Sequence, residues 1–362
     1  MTEHYEWPWP TGAAANYVLG LQRELEAQIS ERVAAFLDTN FWIKAREAAF
    51  TELADKEARL ILEALLFAVD SGRAFFPITA DLIEEFSQQT PGVFIETMKL
   101  VDHLSLGVAL VPDYERMVIE IEAFFGRTFP QHPPYVRPIW TRAAFAFGYE
   151  DLCPAGVELH DSLLVALADK AWRAMPSKVA ASYAPDLFNA KSESEQLAEF
   201  LRKQEIIHAH EITSHSTALR LKIAGATSMI TGIAAREFRR LALANGMSLD
   251  AEGINASSLF GQKMALMIAA ALTKEEHQRN FGSLYVPAAL HAGLRSHKGR
   301  EIKPNDLFDF RHAAAALPYC RAFFTERSLK SLITSGHMQL DRLYGCTVLN
   351  SVEEAISWIR KI

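Results

Sequence analysis

Carboxylates stand where the apolar segments of this chain stop. Asp38 follows the run VAAFL, Glu84 and Glu85 lie in ITADLIEEF, Asp306 and Asp309 open NDLFDFRHAAAAL, and Glu326 follows AFFT. Where such segments are strands of a parallel sheet and the helices after them, their acids converge beyond the carboxyl ends of the strands, the place where α/β proteins hold ligands. Carboxylates gathered about 4 Å apart repel by roughly 4 kcal/mol at an effective dielectric near 20, so the cluster either stays partly protonated or holds a cation. Oxygen donors suit magnesium or manganese. Two such ions can clamp a phosphodiester, one activating a water and the other stabilising the leaving oxygen.

The elements that must position these acids follow from spacing. After Asp38 and the Thr39-Asn40 pair, EARLILEALLFAVDSG carries Leu60, Leu62, Leu65, Leu66 and Val69 close to helical spacing, with Gly72 placed to end the helix. RAFFPIT reads as a buried strand, and Thr79 as the cap of the helix TADLIEEFSQQT, which stops before Pro91. Near the carboxyl end, NDLFDFRHAAAALPY is an alanine-rich helix, AFFTE a strand, RSLKSLITSG a helix, GCTVLN a strand and SVEEAISWIRKI a helix whose Ser351 and Glu354 have capping-box spacing. LSLGVALVP is a further candidate strand, and from YERMVIEIEAFF onward the middle is helical in pattern, broken by prolines at 130, 133, 134, 138 and 176. The long pattern from SESEQLAEF to ANG is expected to be two helices meeting near Gly225 or Gly232. An α/β domain with a parallel sheet, assembled from both ends of the chain and interrupted by a large all-helical insertion, is the economical reading.

Composition bounds the partners. The 362 residues exceed one common domain, and 49% of them are hydrophobic, ample for a packed core. A net charge of -7, from 44 acidic and 37 basic side chains, argues against holding nucleic acid by a global positive field, though not against local basic patches. Cys153, Cys320 and Cys346 are far apart and read as buried thiols rather than a disulfide framework or zinc site. MTEHYEWPWP has acids and prolines where a secretory signal needs a basic start, and stretches such as KIAGATSMITGIAA are too short for a bilayer about 30 Å thick. A cytoplasmic protein with no membrane partner is the expectation.

VAAFLDTNFWI, ITADLIEEF, NDLFDFRHAAAAL and AFFTER, in that order and separated by helices, resemble the PIN-domain nucleases, metal-dependent ribonucleases of three-layer α/β/α architecture. The resemblance covers about residues 30 to 95 and 300 to 362, and divides the chain into a first PIN-like part (1–100), a mainly helical insertion (101–299) and a second PIN-like part (300–362). It implies Asp38, Glu85 (or Glu84), Asp309 and Glu326 as the four acids that hold Mg2+ or Mn2+, with Asp306 as an extra or alternative ligand. Thr39, Asn40 and Thr325 would support these acids or orient water. The activity implied is that of an endoribonuclease hydrolysing RNA with metal-activated water, in the manner of a toxin or defence effector, the insertion serving substrate choice, a homo-oligomer contact or a regulatory partner. Two departures stand out: Glu326 occupies a position where aspartate is more usual, and Arg321 one where relatives often carry a further aspartate, which would set a guanidinium beside the cluster.

Other residues carry competing readings. Asp38 also suits a plain helix cap, Asp306 a residue favoured by the helix dipole, and His312 a side chain that packs or hydrogen-bonds beside the site. RKQEIIH places Arg202 and His208 at the spacing of HEPN-type ribonucleases, which need no metal. His208, Glu211 and His215 share a helical face that could suit zinc. Arg295, Lys298, Arg300 and Lys303, in GLRSHKGREIKP, could guide a phosphate backbone toward the acids, with REFRR (236–240) as a second basic segment. A PIN-like module that binds without cleaving is the alternative to an enzyme.

Overall fold

VAAFL does form a buried strand, and its neighbours in space come from the far end of the chain. The computed structural model describes residues 12–127, 137–148, 159–187, 203, 214–246, 259–296 and 303–362. Its strands are β1 (Val33–Leu37), β2 (Ala74–Phe75), β3 (Val108–Leu110), β4 (Trp140–Arg142), β5 (Ala322–Phe324) and β6 (Thr347–Leu349). A four-stranded sheet has the order β2-β1-β5-β6, and every pairing in it is parallel. Residues 34 to 37 and all of β5 are buried, as expected of central strands covered on both faces. The register sets Ala35 beside Ala322 and Leu37 beside Phe324, so Asp38 and Thr325 leave the sheet at the same level.

RAFFPIT pairs over a shorter stretch than its composition predicts, because Pro77 has no N–H to donate. Ile78 resumes the sheet beyond it, donating to the Val108 carbonyl at 3.2 Å and accepting from Leu110 N–H at 2.9 Å. Strand β3 therefore lies beside the extension of β2, and pairs antiparallel with β4. This ribbon corrects the expectation that the insertion is all helical. The long middle pattern divides at Ile230, between helices His215–Met229 and Thr231–Ala244. Helix Gly282–Ser296 packs on His215–Met229, Asp113–Gly126 and Pro304–Ala316, and one cluster of buried apolar side chains joins Phe36, Phe125, Phe281 and Phe323.

Three helices bear on the acids. Thr39–Phe50 begins directly at Asp38, Ala80–Ser87 is capped by Thr79, whose hydroxyl accepts Leu82 N–H at 3.2 Å, and Pro304–Ala316 lies along the sheet. In the last, Ala313 to Ala316 are all buried. His312, at the head of the alanine run, reaches the end of β1, with its ring 5.8 Å from that of Phe36. Among the described residues, no helix is long and apolar enough to cross a membrane.

Candidate metal centre

Asp38 is the hub. Its backbone N–H donates to the Phe324 carbonyl at 2.9 Å, which ties the end of β1 to β5. Its carboxylate, in a residue only 3% exposed, accepts from three donors. Oδ1 takes Thr39 N–H at 2.8 Å and lies 3.1 Å from His312 Nδ1, while Oδ2 takes the Thr325 hydroxyl at 2.8 Å. Glu85 closes the other side: the Thr39 hydroxyl donates to its Oε2 at 2.5 Å, and that oxygen lies 3.6 Å from His312 Nε2. Asp38, Glu85 and His312 each present one donor atom, and the three atoms lie within 4.8 Å of one another. His312 is fully buried, and its Nε2 has no hydrogen-bond partner.

Charge in this pocket is strongly coupled. Burial works against ionisation of Asp38, but the hydrogen bond and charge of His312, the Thr325 hydroxyl and Thr39 N–H outweigh it and hold the carboxyl below its ordinary range. Burial likewise disfavours a charged His312, yet Asp38, then Glu85 and Asp81, push the ring up to about 9. Glu85 is raised, chiefly by burial, with Asp38 and Asp81 adding to it against His312 and the Thr39 hydroxyl. Asp309, one helical turn before His312, is pushed up to about 8 by burial and by Asp38, Glu326 and Glu85. A carboxyl held protonated near neutral pH by burial and, beyond that, by neighbouring carboxylates marks a place short of positive charge.

The other sequence candidates are placed as follows. Glu326 caps the helix Arg327–Ile333; it raises Asp309, and its own carboxylate accepts the Ser328 hydroxyl. Of the two adjacent glutamates, Glu85 enters the cluster, whereas Glu84 lines a neighbouring cavity of about 230 Å³ with Asp81, Asp113, Tyr114 and Arg311. Asp306 accepts Lys303 N–H at 2.7 Å, closing the cap of its helix. Asn40 is exposed and makes no hydrogen bond to the cluster, so the supporting role expected of it falls to Thr39. Arg321 is corrected as well: its N–H bonds the Ala34 carbonyl at the start of β1, the opposite end of the strands from Asp38 and Thr325.

Arg295 ends helix Gly282–Ser296 and Lys303 caps Pro304–Ala316, while Lys298 and Arg300 lie outside the described residues. Arg202, His208 and Glu211 also lie outside them; His215 stacks near His337, with ring centroids 4.8 Å apart. REFRR is drawn into an internal network, where Arg236 and Arg240 pair with buried Glu237 and Arg240 also reaches Glu122.

The residues fit a small divalent cation: hard carboxylate oxygens, a buried imidazole nitrogen without a hydrogen bond that faces one of them at 3.6 Å, and a deficit of positive charge. Sequence reasoning found the acids but gave His312 only a supporting place. The available signal was its position, at the head of an alanine run one turn after a candidate ligand. Comparison of the chain with protein-family models, with curated proteins and with solved structures finds no match.

Proposed function

We propose that this protein is a divalent-metal-dependent endoribonuclease built on a PIN-like α/β/α domain. One observation carries the reading: Asp38, Glu85 and His312, drawn from three elements and as many as 274 positions apart, bring donor atoms within 4.8 Å of one another at the carboxyl edge of a parallel sheet. Asp38, Glu85, Asp309 and Glu326 would hold Mg2+ or Mn2+, which, once bound, supplies Lewis-acid polarisation of the phosphodiester and of water. The protein's own groups do the rest. Thr325 and Thr39 fix the Asp38 and Glu85 carboxylates, and Asp309 carries a proton that leaves its carboxyl when a cation is taken up. Arg295 and Lys303, with Lys298 and Arg300, would draw the RNA backbone toward an otherwise acidic edge.

The test is cleavage of labelled RNA by the full chain with Mg2+ or Mn2+. Loss of at least about 100-fold in Asp38→Asn and in chelator is expected. RNA bound but uncut, with metal present, would favour the silent PIN-like module, a reading supported by the engagement of Glu326 with Ser328. Cleavage that survives chelation and is lost in His208→Ala would replace the metal centre with the HEPN-type reading.

A further inference from the structure

Resting on the reading of this cluster as a metal centre, we propose that His312 Nε2 is a direct ligand of the ion, and that the centre therefore selects Mn2+ over Mg2+. The two nitrogens of the ring are unequal. Nδ1 lies 3.1 Å from Asp38 Oδ1, and a donor bond kept there means that the proton the ring gives up to an incoming cation is the one on Nε2, which leaves the lone pair on that nitrogen. Metal-binding histidines are held by a carboxylate in this way. Nε2 itself is buried without a hydrogen-bond partner, a state rare for a polar atom in a protein interior.

The distance to the facing oxygen narrows what can lie between them. Nε2 and Glu85 Oε2 are 3.6 Å apart, longer than a good hydrogen bond of about 2.9 Å. An ion about 2.1 Å from both atoms would subtend an angle of about 120°, wider than the roughly 90° of the near-ideal octahedron that Mg2+ demands. The Thr39 hydroxyl holds that same Glu85 oxygen at 2.5 Å and so sets its direction. Asp38 is more constrained. Its carboxylate has about four lone-pair sites and three hydrogen bonds already fill most of them, which leaves one position on Oδ2. Asp38 thus orients the ring and offers at most a single oxygen, and His312 supplies the donor that Asp38 cannot.

Metal choice follows from the donors. Mg2+ is bound through oxygen ligands and keeps its waters, whereas an imidazole nitrogen favours first-row transition ions, of which Mn2+ is the one that carboxylate oxygens also suit. The competing arrangement is an imidazolium that simply salt-links Asp38 to Glu85 and stands where an ion would.

Pulsed EPR of the full chain loaded with Mn2+ separates these. We expect electron spin echo modulation from one directly bonded 14N, converted to the 15N pattern when the wild-type protein carries 15N-histidine, a measurement that needs no substitution. In His312→Gln the coupling should vanish while Mn2+ affinity falls about 10-fold to 100-fold. Mn2+ should displace Mg2+ with a preference of at least about 10-fold. Mn2+ bound in an Asp38-dependent way but with no nitrogen coupling, or with coupling that survives His312→Gln, would overturn the ligand assignment and leave the metal centre standing. No Mn2+ uptake, or uptake indifferent to Asp38→Asn, would overturn the metal centre and the assignment together.

Discussion

Two groups of acids in this molecule are neutralised in opposite ways. In the helical region, Glu122 and Glu237, 1% and 0% exposed in their side chains, meet Arg137, Arg236 and Arg240. Burial raises Glu122, and Arg240 and Arg137 pull it back. At the sheet edge, Asp38, Glu85 and Asp309 share one imidazole, Glu326 adds a further negative charge beside Asp309, and the Asp309 carboxyl is pushed up to about 8. The first group contains its counter-charges and needs nothing from solution. The second lacks them. Burial of acids alone is therefore no sign of a binding site; the sign is burial with the balancing charge missing.

Removing an acid from each group should break them differently. Glu237→Ala strands arginines in the helical network and is expected to destabilise the fold by about 3 kcal/mol, equally with and without divalent ions, as read by denaturant unfolding. Asp38→Asn should cost less in chelator, about 1 to 2 kcal/mol from weakened hydrogen bonds. It should also abolish the rise in melting temperature that Mn2+ gives the wild type, equivalent to about 2.7 kcal/mol at 100 times the dissociation constant.

The sheet-edge group should also impose a pH dependence at and above neutral pH. His312 is raised to about 9 from 6.5 and Asp309 to about 8 from 3.8, so the folded chain binds more protons than the unfolded one in this range. Stability then falls as pH rises. The Asp309 contribution is full below pH 3.8 and lost through about 8; that of His312 is full below 6.5 and lost through about 9. In chelator the melting temperature should drop by at least about 2 °C between pH 6.5 and 9, and saturating Mn2+ should flatten the drop. A melting temperature that climbs over this range would contradict the assignment of these protons. The smallest effects belong to Asn40→Ala and Arg321→Ala, expected within about 0.5 kcal/mol and without change in Mn2+ affinity.

Much of the site was legible because strand ends and helix starts leave strong local marks. An apolar run stopped by Asp38 and a helix opened at Thr79 require no tertiary knowledge, and the capping residues sit where their chemistry demands. What lay beyond reach depended on register and on distances between elements. Arg321 fell within a few residues of Glu326 in sequence, yet a strand runs between them and sends them to opposite ends of the sheet. Asn40 and Thr39 are adjacent and polar, but the first turn of a helix points one to solvent and the other to Glu85. β3 falls in LSLGVALVP, the further candidate strand, but its partner β4 was not legible because Trp140–Arg142 is a short strand amid prolines and helical patterns. His312 was visible only as a histidine among alanines, since its approach to β1 is a property of packing.

The pairing of β1 with β5 has a bearing on synthesis. Thr325 closes on Asp38 across 287 positions of chain, so a nascent polypeptide carries its first acid long before the strand and the histidine that complete the pocket are made. Contacts this remote in sequence are slow to form. A ribosome-bound fragment ending before residue 312 should thus be inert toward divalent ions under the proposed reading, and the cluster is complete only once β5 has added beside β1, with β6 closing the edge of the sheet.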